Sequence, residues 1–329
     1  MMKKVFLAAA ASALLLPVSC DKNAQEGTAA PGKPVEVTVR ITGDGSTRAT
    51  GTTYADESKV QDLQVFVFDE NGEIQDYKSA GEAMTASLTT TSGEKTVWAL
   101  VNGPSLPSIA TEAELATQMT LLGANGTDRF IMAGSKTQEL VDGGTVPVVV
   151  KRIVSRVSVG KITSAFRSPV LAAKELRIDA IYLINVAAES NLEVTSEPAL
   201  WLNKLGHADT EADPLLYDAV DAVVTAETPY ETEHAFYPYP NPVETETYDD
   251  VWSPRHTMLT VEVTFDGQKG YYPVELPVLE RNKTYSIEEI IITRAPGDKP
   301  YQPVETGEAT AQITVSEWEL GLNLGTITI

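Results

Sequence analysis

Sulfur, histidine and positive charge are all scarce in this 329-residue chain. It has one cysteine and three histidines, and its 25 lysines and arginines face 46 aspartates and glutamates, for a formal charge of −21. A lone cysteine leaves no intrachain disulfide and no cysteine-based zinc site. The histidines, His207, His234 and His256, do not stand at metal-ligand spacing, and there is no HExxH helix. No GxSxG elbow, phosphate-cradling glycine loop or GxGxxG fingerprint occurs. Carboxylates are so abundant that a pair of them says nothing about glycoside hydrolysis. No enzymatic constellation emerges, and no cofactor or metal is implied. A surface this acidic repels phosphate backbones, which argues against nucleic acid as a partner.

The single cysteine is placed tellingly. Lys3 and Lys4 precede an apolar run from Val5 to Leu16, shorter than the ~20 residues a membrane-spanning helix needs. Val18-Ser19-Cys20 follow. This is the layout of an export signal ending in a cysteine, with residues 1–20 as the signal and Cys20 as the lipidation site. Pro17 occupies a position where such signals usually carry leucine.

Beyond a polar tether over 21–34, apolar residues recur with period two. Val35, Val37, Val39 and Ile41 alternate with Glu36, Thr38, Arg40 and Thr42, the mark of a half-buried strand. Leu63–Phe68 reads as a strand with little polar interruption, closed by an Asn71-Gly72 turn. Residues 95–101 form another strand, and 111–122 read as a short helix capped by Thr111. Thr145 to Ile162 is a long β-branched run, read as the last strand or strand pair of a first domain. A second short helix is expected around 214–223. The strands at 258–265 and 271–276 flank Asp266-Gly267, a strong hairpin signal. Three prolines in FYPYPNP (236–242) exclude a central strand there. Short strands with Gly, Pro and Asn turns imply an all-β chain of two β-sandwiches with short helices in loops. The expected divisions are a tether and first strand over 21–48, an N-terminal sandwich over 49–166 and a C-terminal sandwich over 167–329. Trp201, Trp252, Tyr237, Tyr239, Tyr271 and Tyr272 suit either core packing or a sugar-stacking platform.

The two ends of the chain combine into one mechanism. Cutting in the polar loop after Arg48, before Ala49, would release the strand carrying Val35, Val37, Val39 and Ile41 together with the lipid anchor. The first domain would then expose an apolar groove and unpaired backbone groups. The C-terminal region offers a replacement, or else a last strand tucked into its own domain. Ile313 and Val315 point one way, Trp318, Leu320, Leu322 and Leu324 alternate after a phase shift, and Ile327 and Ile329 follow. Burying these eight side chains at ~1.5–3 kcal/mol each gives roughly 12–24 kcal/mol as an upper bound. Strand addition of this kind joins pilus subunits, and a head-to-tail contact that does not close makes a filament.

The residues also resemble a known family, the FimA-like (type V) major fimbrial subunits of the Bacteroidota. The matching stretches are the signal ending at Cys20, Thr47-Arg48-Ala49, LQVFVFDENGEI (63–74), TVWALVNGP (96–104), VVVKRIVSRVSVGKI (148–162), FYPYPNP (236–242), RNKTYSIEEIIITRAPGDKP (281–300) and ATAQITVSEWE (309–319). The resemblance implies two transthyretin-like β-sandwiches and an outer-membrane lipoprotein precursor that ends in a cell-surface fimbria used in adhesion. It implies an arginine-specific protease as processing partner and donor-strand exchange between copies of the chain. Anchor and tip subunits and host or bacterial surface receptors are the further partners. Carried over, Cys20 matches the lipidated residue, Arg48 the cleavage residue and 309–329 the donor region. The uncut alternative is a monomeric surface lipoprotein that binds glycans or proteins.

Overall fold

The computed structural model describes residues 32–43, 57–207, 213–304, 313–318 and 326–328. The first strand, β1 (Pro34–Gly43), forms as its alternation requires, with Val35, Val37, Val39 and Ile41 facing inward. It is followed by β2 (Leu63–Phe68), β3 (Ile74–Ser79), β4 (Thr85–Thr91) and β5 (Gly93–Val101). Next come a short helix α1 (Glu112–Ala116), β6 (Met119–Leu121), β7 (Met132–Leu140) and β8 (Gly144–Arg152). Seven of these strands run in the order β3-β2-β5-β7-β8-β1-β4. The β7–β8 step rests on only two residue pairs, Met132 with Arg152 and Ala133 with Lys151. The sheet bends there and folds into two layers, β3-β2-β5-β7 over β8-β1-β4, around an aliphatic core.

Gly134 marks the tightest point of that bend. A Cβ there would lie 1.9 Å from the Val149 carbonyl oxygen, so only glycine lets β7 approach β8 so closely.

The second half holds β9 (Arg156–Ser164), α2 (Pro169–Ala172), β10 (Leu176–Ile184), β11 (Val186–Ala187), β12 (Glu189–Asn191) and β13 (Trp201–Leu202). It continues through α3 (Asp213–Leu216), β14 (Tyr217–Val224), β15 (His234–Phe236), β16 (Met258–Phe265), β17 (Gln268–Glu275) and β18 (Lys283–Ile292). The last strands are β19 (Thr314–Glu317) and β20 (Thr326–Thr328). One layer is β14-β10-β16-β17 and the other is β15-β9-β18-β19, with β20 also on β18. The Asp266-Gly267 hairpin forms with both residues at positive φ, 52° and 79°, as its sequence predicts. Two smaller ladders, β6 with β12 and β11 with β13, complete the pairing.

Three expectations change. The run from Thr145 to Ile162 does not stay in the first sandwich. Its front half is β8, but its second half, β9, pairs with β18 and β15. The change of sandwich therefore falls between Arg152 and Arg156 rather than near residue 166, because both halves of the run are equally β-branched and only long-range pairing separates them. The helix read over 111–122 stops at Ala116, where Thr117 Oγ1 donates to the Ala113 carbonyl, and the chain re-extends as β6. Its N-terminus is as expected, with Thr111 Oγ1 accepting from the Glu114 N–H. The helix expected around 214–223 covers only Asp213–Leu216, and β14 takes the rest.

The uninterrupted apolar run of β2 has a structural cause. Leu63, Val65 and Val67 face the first sandwich core, whereas Phe66 and Phe68 belong to a second buried cluster. That cluster continues through Trp98, Phe130 and Tyr237 into the second sandwich. A strand buried on both faces has no position for a polar alternate. Its one polar residue, Gln64, is satisfied: Nε2 donates to the Pro104 carbonyl, and Oε1 accepts from Tyr77 and the Leu106 N–H.

Replacing Gly134 with alanine should force β7 and β8 apart and destabilise the chain by about 1–3 kcal/mol, the usual cost of overpacking, measurable as a lower urea midpoint.

Candidate functional site

The strand singled out from sequence is an internal one. β1 pairs antiparallel with β4, from Pro34 opposite Thr91 to Arg40 opposite Thr85, and parallel with β8, from Val37 opposite Gly144 to Gly43 opposite Val150. Local clips fix its ends. The Glu36 N–H donates to Asp142 Oδ1, the Gly143 N–H donates to the Glu36 carbonyl, and the Ile41 N–H donates to the Met84 carbonyl. Val35, Val37, Val39 and Ile41 are all buried. Their burial amounts to roughly 6–12 kcal/mol as an upper bound. Arg40 projects outward, but its backbone is paired on both sides, which shields it from a trypsin-like protease. The strand ends at Gly43, and the next described residue is Glu57. Cys20, Arg48 and Ala49 lie outside the described residues.

The C-terminal residues rest on their own chain. β19 pairs antiparallel with β18, setting Val315 opposite Tyr285. β20 runs parallel to β18, with Ile327 opposite Ile290. Ile313 packs half-buried against the large cluster. Trp318 is buried, and its backbone N–H donates to the Asn282 carbonyl. Leu320, Leu322, Leu324 and Ile329 lie outside the described residues. The structure thus brings Val35, Val37, Val39 and Ile41 into one core and Ile313 and Trp318 into another, and it does not bring the two sets together.

Where the sandwiches meet, a polar cluster surrounds Trp318. Phe130 and Tyr237 flank its ring, each with centroids 5.7 Å away. The Arg152 guanidinium lies over it at 4.6 Å. Glu57, invisible to sequence reasoning because it sits in a polar stretch with no periodicity, is buried here against Tyr237 and Trp318. Arg281 was missed for the same reason. Its guanidinium donates to the carbonyls of Ala133, Lys151, Arg152 and Leu192, so it stitches β7 and β8 of the first sandwich to the second. Burial pushes Arg281 down to about 10, with nearby Glu193 opposing the shift. Tyr239, fully buried, bridges Thr120, Asn125 and the Leu121 carbonyl. Burial pushes its phenol up to about 12, against the pull of its hydrogen bonds with Thr120 and Asn125.

Most of the aromatics that could have formed a sugar platform are used in packing, while Tyr271 stays half-buried under the Lys269 ammonium. Tyr237, Tyr239 and Tyr272 are buried. Trp201 meets Trp252 edge-on, and Lys204 and Arg255 lie against the Trp252 ring. His234 is held between Asp218 and Tyr230, each at 2.7 Å, and links the edge strands β14 and β15. Among the described residues, no three His, Cys, Asp or Glu side chains converge on a possible metal site.

Two sandwiches share an apolar wall, and β1 is the middle strand of the outer layer of the first, which defines an all-β, two-sandwich architecture. Residues 35–153 match the family described as major fimbrial subunit protein (FimA). A relative from Parabacteroides distasonis, described as a candidate fimbrium tip subunit, Fim1C, is 24% identical over 298 residues, covering 79% of this chain and 74% of the relative. A crystal structure of a candidate cell adhesion protein from Bacteroides eggerthii matches 92% of this chain and 100% of its own at a TM-score of 0.68 and 16% identity. A fimbrilin (FimA) from Porphyromonas gingivalis matches 89% of this chain and 97% of its own at a TM-score of 0.59 and 15% identity. The match over residues 35–153 and the similarity to a fimbrium subunit support a FimA-like fimbrial relationship for this chain.

Two outcomes test the junction. Arg281→Ala should cost at least about 1.5–3 kcal/mol, the value of a hydrogen bond to a charged group, read by urea unfolding. The Tyr239 phenol is raised to about 12 in the fold against 10.0 unfolded. Its contribution is complete below pH 10 and should be lost as pH rises through 12, with phenolate absorbance lagging that of free tyrosine.

Proposed function

We propose that this chain is a fimbrial stalk subunit, exported as a lipoprotein on Cys20, cut between Arg48 and Ala49 and polymerised head to tail by donor-strand exchange. The observation that carries the reading is the double pairing of β1. Its removal leaves a slot between β8 and β4 lined by the aliphatic core, and only a strand with the same alternation refills it. Leu320, Leu322 and Leu324, followed by Ile327 and Ile329, supply that alternation from a neighbouring copy, together with Ile313, Val315 and Trp318 at the root of the segment. In this reading the division into a removable first strand, an N-terminal sandwich and a C-terminal sandwich is also a division of labour. One sandwich accepts a strand and the other donates one. The outer-membrane precursor becomes a surface fimbria, with an arginine-specific protease, anchor and tip subunits and surface receptors as its partners.

A second reading, a tip subunit, draws on the Parabacteroides relative. Such a subunit accepts a strand but has no need to donate one. The monomeric glycan-binding lipoprotein is less well supported, because most of the aromatics it would use are buried or lie under cationic side chains.

Digestion of the soluble chain (residues 21–329) with an arginine-specific protease should give one cut, after Arg48, and a ladder of boil-sensitive oligomers on gels. Arg48→Ala should remain a monomer. Normal oligomers from that variant would rule out processing at this site. A cut chain that joins growing fibres but adds no further copies would favour the tip reading.

A further inference from the structure

Glu57 is the first described residue after β1, nine positions beyond Arg48. Its side chain is 3% exposed. One carboxylate oxygen accepts from the Tyr237 hydroxyl at 2.6 Å, and the other accepts from Trp318 Nε1 at 3.1 Å. Arg156 Nε lies 3.7 Å away. The main chain is gripped as well, because Arg152 Nε donates to the Glu57 carbonyl at 3.2 Å and its terminal nitrogen donates to Ser58 Oγ at 2.7 Å. The same Arg152 guanidinium covers the Trp318 ring. Ser58, next to Glu57, and Trp318, at the root of the C-terminal segment, are therefore joined through Glu57 and Arg152.

We propose that Glu57 and Trp318 form a latch, which holds the C-terminal segment on its own chain while residues 44–56 still connect β1 to Glu57 and lets it go once that connection is cut. The inference rests on processing after Arg48. In the intact chain Glu57 stays covalently tied to Gly43, the paired end of β1, so it gains little freedom by leaving its site. After a cut at Arg48, Glu57 stands near a free end, and detachment releases the conformational entropy of the whole segment. Once Glu57 leaves, the Trp318 indole N–H loses its acceptor in a place shut off from water, Tyr237 loses a hydrogen bond, and Arg156 loses a facing carboxylate. Trp318 is then less well held, and β19, a four-residue strand on the edge of β18, loses the contact that anchors its end. The cut that would open the slot for an incoming strand thus also frees the strand that would leave.

Hydrogen exchange read by mass spectrometry on the soluble chain (residues 21–329) tests this, with the amides of residues 314–318 as the readout and those of β2 and β5 as the folding control. In the uncut chain, Glu57→Ala should speed exchange over 314–318 at least tenfold and leave β2 and β5 protected. Cutting the wild-type chain at submicromolar concentration, before second-order growth sets in, should produce the same acceleration. Trp318→Phe keeps the ring but removes the donor; it should act in the same direction and add little in the Glu57→Ala background. Glu57→Gln, which keeps an acceptor oxygen, should fall in between and serves as the reading if the alanine variant does not fold. Wild-type protection in uncut Glu57→Ala, or unchanged protection over 314–318 after cutting, overturns the latch. The uncut comparison needs no processing. Resistance at Arg48 with accelerated exchange in uncut Glu57→Ala would therefore leave the Glu57–Trp318 contact standing and remove the processing reading and, with it, the proposed release.

Discussion

The first sandwich depends on the position of β1. Its outer layer consists of three strands, β8-β1-β4, and β1 is the middle one. Among the described strands β4 pairs with β1 alone, and β8 reaches its other neighbour through two residue pairs only. Removing β1 would strip one strand of its ladder and leave another nearly bare, while four inward side chains vanish from the core. An edge strand can fray at modest cost. A middle strand is either present or replaced. The outer layer of this sandwich therefore depends on β1 far more than it would on an edge strand.

The opposite wall is built on a different principle. β2 and β5 bury residues on both faces, aliphatic toward the first sandwich and aromatic toward the second. The two sandwiches therefore share a wall, and several of the polar groups beside it are well matched. Arg281 meets four carbonyls, Gln64 meets partners at both ends of its amide, and Tyr239 is bonded on three sides. Unmatched groups in such a place would each cost about 1–3 kcal/mol.

Much of this was legible in the sequence wherever one local pattern decides the outcome. The alternation of Val35 to Ile41 marks β1, Asp266-Gly267 marks a hairpin, and the prolines of 236–242 mark a break in pairing. The illegible parts depend on distant partners. Nothing between Thr145 and Ile162 announces that the chain changes sandwiches at Ile153–Ser155, because β-branched residues suit either sheet. Thr111 and Glu114 start a helix correctly, but what ends it at Ala116 is the pull of β12 on residues 119–121. For the site, the strand residues could be read from their period. Glu57 and Arg281 could not, since a buried charge looks like a surface charge until its partners are known. The C-terminal pattern left two arrangements open. In the single chain β19 and β20 rest on β18, the arrangement from which any exchange would have to start.

Arg281 has a consequence for the environments in which such a protein works. The chain carries a formal charge of −21, so its surface repulsion rises in dilute media and fades in brine, where the screening length shrinks from about 10 Å at 0.1 M salt to about 3 Å at 1 M. The stitch between the sandwiches depends on salt much less. It joins a half-buried cation mainly to neutral peptide carbonyls, and the exposed Glu193 is the nearby charge that acts on it. Changing salinity should therefore alter how these molecules approach one another far more than how the two halves of each molecule hold together.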